Sequence, residues 1–155
     1  MAPRQLQVSA LNPGHLRSHA REFTEAARLC VPQPKLTGII PLGGPGTVLA
    51  AFALELWFKA LYCKANPLGI APTGHDLRRL FDSLEPIQKG AIGSKSGHSL
   101  ADICSELQAN ADVFQTWRYA YEHGAGQPGP VQALEANIGL LFDLLKACEE
   151  VYALP

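Results

Sequence analysis

The stretch TVLAAFALELWFKALYCKA, residues 47–65, decides the fold. Val48, Leu49, Phe52, Leu54, Leu56, Trp57, Phe58 and Leu61 occupy almost every face of a helix drawn through it. A helix apolar all round is buried on several sides, so this one is predicted to be the central helix of a bundle. Asn66-Pro67 and Gly69 end it. Its longest apolar run, Thr47 to Phe58, is interrupted by Glu55 and reads as too short to span a bilayer.

Two charges lie inside this apolar text. Glu55 and Lys59 are spaced i,i+4 with the acid first, the favourable order on a helix. In a buried helix the pair needs more than itself, because an uncompensated buried ion costs several kcal/mol. A third polar partner is therefore expected. Arg118 is the favoured candidate: Phe114, Trp117 and Tyr121 define the apolar face of its helix, and Arg118 lies at the edge of that face. The alternative partner for Arg118 is Glu122, four residues on.

Outward from the central helix, Asn12-Pro13 predicts a helix start, an Asn cap followed by Pro in the first turn. Leu16, Ala20, Phe23, Ala27 and Cys30 form its inner stripe, with Arg17, Arg21, Glu25 and Arg28 opposite. Pro32 and Pro34 end it, residues 1–11 read as irregular, and Pro32–Gly46 reads as a packed loop. Gly43-Gly44-Pro45-Gly46-Thr47 lacks the Lys of a P-loop, so a plain helix start is the reading there.

C-terminal to the central helix, Thr73-Gly74-His75-Asp76 opens a helix running to about Leu84, with Leu77, Leu80, Phe81 and Leu84 inward and Arg78, Arg79 and Asp82 outward. Asp76 suits the backbone donors of the helix start. His75 is placed to hydrogen-bond across to the central helix, and with Arg78 and Arg79 it borders a possible anion site. Pro86–Gly97 reads as a linker with a short turn, and Lys95, Ser96, His98 and Ser99 as part of a mobile loop. Ser99–Gln108 is predicted helical, with Leu100, Ile103, Cys104 and Leu107 inward. Asn110 or Asp112 caps a further helix to His123, before Gly124. The last helix spans about Pro130 to Tyr152, with Val131, Leu134, Ile138, Leu141, Leu145, Cys148 and Tyr152 as its stripe. The fold class is all-α: an up-and-down helical bundle of four to five main helices, in one domain over residues 1–155.

Composition narrows the function classes. The formal net charge of -1 gives no overall field for nucleic acid. Residues 1–40 carry five basic and two acidic residues, and residues 101–155 two basic and eight acidic. These read as solvated faces or as complementary ones. Cys30, Cys63, Cys104 and Cys148 lack the spacing of a metal site and read as small buried residues of a reducing compartment. No metal and no cofactor is expected, and no signal pattern opens the chain, so a cytoplasmic location is the expectation.

The segments AFALELWFKALYCKA at 51–65, GHDLRRLFDSL at 74–84 and FQTWRYAYE at 114–122, in this order, resemble the HEPN family, the higher eukaryotes and prokaryotes nucleotide-binding domain. The resemblance spans about residues 47–123. It implies a helical bundle, homodimerisation or pairing with a nucleotidyltransferase-type protein, and a cleft for nucleotide or RNA. Some members are metal-independent RNases with an Arg and a His separated by a few residues, a pattern that Arg118-Tyr-Ala-Tyr-Glu-His123 matches. On that resemblance Arg118 would hold phosphate and His123 would act as base or acid. On a regular helix the two are about 140° apart, so they converge only through a distorted helix end or a second subunit.

Three functions follow as expectations. The first is a non-catalytic module binding nucleotide, RNA or a protein partner through Arg118, His75, Arg78 and Arg79. The second is an endoribonuclease using Arg118 and His123. The third is a structural interaction module whose polar network is Glu55, Lys59, Asp76 and Arg118.

Overall fold

The computed structural model describes residues 12–30, 43–68, 70–111 and 138–155, and the elements in them are all helices. Six are present: α1 Pro13–Cys30, α2 Gly43–Ala65, α3 Leu77–Asp82, α4 Pro86–Ser96, α5 Leu100–Ala109 and α6 Ile138–Ala153. They pack against one another as an all-α bundle with α2 at its centre.

The start of α1 follows from Asn12, whose side-chain Oδ1 accepts the Gly14 amide at 2.8 Å and satisfies a donor that the helix cannot. Leu16, Ala20, Thr24 and Ala27 face inward, with Phe23 and Cys30 half-buried beside them. The small residues Ala20 and Ala27 let α1 lie close along α2, the most extensive helix contact among the described residues.

The central helix is buried much as its composition requires. Ala50, Ala51, Ala53, Leu54, Trp57, Phe58, Ala60 and Leu61 are all withdrawn from solvent. They meet α1, α3 and α6, whose contributions include Leu77, Leu80, Phe81, Leu141, Leu144, Leu145 and Cys148. Each large side chain so buried contributes about 1.5–3 kcal/mol relative to exposure. The segment Pro45–Ala65 is long and apolar enough to cross a membrane by length and composition, and 67% of its most apolar window is buried within the fold.

Three sequence expectations are corrected. First, α2 begins at Gly43 and not at Thr47. Gly46 is buried where α2 meets the end of α1, and a Cβ on it would sit 3.3 Å from the Cβ of Cys30. The glycine there serves close helix packing, which in sequence looks the same as a loop. Second, Pro86–Gly97 is not a linker: Pro86–Ser96 is α4. Pro86 takes the first turn, the Glu85 amide donates to Gln88 Oε1 at 3.1 Å, and Gly97 closes the helix in the left-handed region at φ 76°. Gln88 Nε2 also donates to the Leu61 carbonyl of α2 at 3.0 Å, a tertiary tie that helical periodicity does not reveal. Third, Leu100 is not inward but 45% exposed. It lies over Gly93 of α4, where a Cβ would come within 3.4 Å of its Cδ2, so glycine makes room for the α4–α5 junction.

The Lys95–Ser99 cluster is correspondingly part of the framework and not a mobile loop. Ser99 caps α5 by accepting the Asp102 amide at 3.1 Å, and its hydroxyl donates to the Asp102 carboxylate at 2.6 Å. His98 Nε2 lies 2.9 Å from Asp143 Oδ2, and Lys95 Nζ lies 3.2 Å from Glu150 Oε2. Both contacts tie α4 and its exit to α6. The C-terminal half of the expected last helix is α6, where Leu141, Leu145 and Cys148 are buried, Ile138 and Tyr152 are half-buried, and Leu144, Ala147 and Val151 complete the inner face. Val131 and Leu134 lie outside the described residues, as do residues 1–11 and the predicted helix to His123.

Candidate functional site

Glu55 sits on the face of α2 that the sequence makes hardest to explain. Its side chain is 3% exposed, against 13% for Lys59 and 65% for His75. One helical turn on, Lys59 Nζ donates to Oε1 at 2.6 Å. The other oxygen, Oε2, lies 2.9 Å from His75 Nδ1. A buried carboxylate with only one partner would leave a lone-pair face desolvated, and the two contacts together remove that cost.

The approach of His75 is built by its own segment. Gly74 adopts φ 97°, a conformation that a residue with a side chain rarely takes, and the chain turns there before α3. Asp76 then caps α3: its backbone is extended and its Oδ1 accepts the Arg79 amide at 3.0 Å. Leu77, Leu80 and Phe81 bury the opposite side of α3, with the Phe81 ring 5.5 Å from that of Phe58 on α2. The cap and this apolar seam hold residue 75 beside residue 55.

The expectation that His75 reaches the central helix agrees with this geometry. Arg118, the favoured third partner of Glu55, and His123 lie outside the described residues. Of the two arginines placed beside His75, Arg79 is exposed, whereas Arg78 is engaged within the fold. Arg78 Nε donates to Asp82 Oδ2 at 2.9 Å, and Nη1 makes a long 3.5 Å contact with the Cys104 carbonyl of α5. The hydrogen bond to Asp82 holds the guanidinium above its already high ordinary value, so Arg78 is a permanent cation with a structural partner.

A carboxylate held by the Lys59 ammonium can only accept, so the Glu55–His75 hydrogen bond requires the tautomer with its proton on Nδ1. The ring is thereby oriented by a buried carboxylate while most of the side chain faces water. The exposed Arg79, four residues on, adds a permanent cation to the same segment. That chemistry suits an anion or a polar hydrogen-bonding group.

A second buried polar pair went unread in the sequence. Glu106 and Asn110 are 9% and 5% exposed, and Asn110 Nδ2 donates to Glu106 Oε1 at 2.7 Å. Their i,i+4 spacing beside the inward Ile103 and Leu107 was the available signal. The Trp57 indole N–H is also buried, with no hydrogen-bond partner among the described residues. Among the described residues no three His, Cys, Asp or Glu side chains converge as metal ligands.

Among the described residues, two grooves stand out. One, of about 730 Å³, runs along α1 past Arg17, Arg21 and Glu25 to Glu149 of α6. The other, of about 390 Å³, lies between the ends of α2 and α6 and the start of α4. Neither is lined by Glu55, Lys59 or His75. No protein-family model, curated protein or solved structure matches the chain.

Proposed function

We propose that this helical bundle is a non-catalytic binding module, and that it engages a phosphate-bearing ligand, nucleotide or RNA, beside His75. The observation that carries this reading is the exposed His75 imidazole held by the buried Glu55 carboxylate. A side chain set in orientation by Glu55 and 65% exposed to solvent lowers the ordering cost of binding. The nearby exposed Arg79 supplies a cation that does not depend on pH. The resemblance of residues 51–65, 74–84 and 114–122 to the HEPN family supports the same ligand class and suggests a homodimer or a nucleotidyltransferase-type partner.

The test is binding of a labelled mixed-sequence RNA and of a nucleoside triphosphate, in EDTA, by anisotropy and calorimetry. Wild type should bind at least one of the two. His75→Ala should weaken binding about tenfold, equivalent to about 1.4 kcal/mol, while remaining folded at the assay temperature, with its own melt as the check. Arg79→Ala should flatten the salt dependence. Binding of neither probe by a folded protein would replace this reading with that of a structural interaction module. RNA cleavage that a folded His123→Ala variant loses would replace it with the endoribonuclease reading, in which Arg118 holds phosphate.

A further inference from the structure

No further inference is drawn: the strongest candidate, the apolar groove between the ends of α2 and α6 and the first turn of α4, lined by Leu61, Val151 and the exposed Ile87 and Leu154, carries nothing because nothing in the structure shows what covers it.

Discussion

Two histidine–carboxylate contacts of equal length, 2.9 Å, occupy opposite environments in this protein. At the Glu55–His75 junction the carboxylate is 3% exposed and the imidazole 65%. At the His98–Asp143 contact the carboxylate is 56% exposed and the imidazole 29%. Distance alone would rank them equal. Burial separates them, because the cost of losing a contact is set by what the remaining group must then endure. Asp143 stripped of His98 turns to water. Glu55 stripped of its partners stays in the core of the bundle.

The largest expected effect is on Glu55 itself. Glu55→Ala should cost about 3 kcal/mol in urea unfolding, at the lower end for breaking a buried pair because Lys59 retains some access to water. Asp143→Ala should cost under about 1 kcal/mol in the same assay. Equal losses in the two variants would erase the distinction drawn from burial.

Alkaline pH should act through the raised thiols of α6 and α2. Burial pushes the Cys148 thiol far above its ordinary value of 9.0, and the Cys63 thiol is raised by the same cause. The unfolded chain then releases these protons at lower pH than the folded chain does. Their contribution to stability is therefore complete below about pH 9 and is lost as pH rises beyond it. For Cys148 alone the slope approaches about 1.4 kcal/mol per pH unit. Cys148→Ala should flatten the alkaline limb of a pH–stability curve, whereas Asp143→Ala should leave its slope unchanged.

Next in size are two effects at the α3 start. His75→Ala should cost about 1 kcal/mol, the scale of one hydrogen bond to a charged acceptor discounted for an exposed ring. Asp76→Ala should cost about 1 kcal/mol through loss of the cap and should speed amide exchange at Leu77–Leu80. A double-mutant cycle sharpens the contrast: the Glu55–His75 coupling should persist in 1 M salt, and the weaker His98–Asp143 coupling should vanish there. Salt-sensitive coupling at both places would show that Glu55 is better hydrated than its burial implies.

Several of these features are legible in the sequence. The apolar character of residues 47–65 required a surrounded central helix, and α2 is buried against α1, α3 and α6. The Asn12 and Asp76 caps were readable because a short polar side chain ahead of an apolar stripe has a local function. The need of Glu55 for a partner beyond Lys59 was also readable, since an ion in apolar text implies compensation. Helix α4 was not legible. Gly90 and Gly93 lower its intrinsic propensity, and among its residues only Ile92 and Gly93 are buried, too few for an apolar stripe. Its stability comes from Gln88 reaching Leu61, from the α6 contacts of Lys95 and His98, and from Leu100 folding over Gly93.

By itself, then, the sequence determined the helical class, the central helix, the Asn12 and Asp76 caps of α1 and α3, and the demand for charge compensation at residue 55, because periodicity, capping and desolvation act on neighbours along the chain. Only the tertiary structure decided that His75 meets that demand from a separate segment, that glycines at 46 and 93 are packing contacts, and that Arg78 is bound to Asp82 while Arg79 stays exposed. Those outcomes depend on distances between elements, which the order of residues along one helix does not encode.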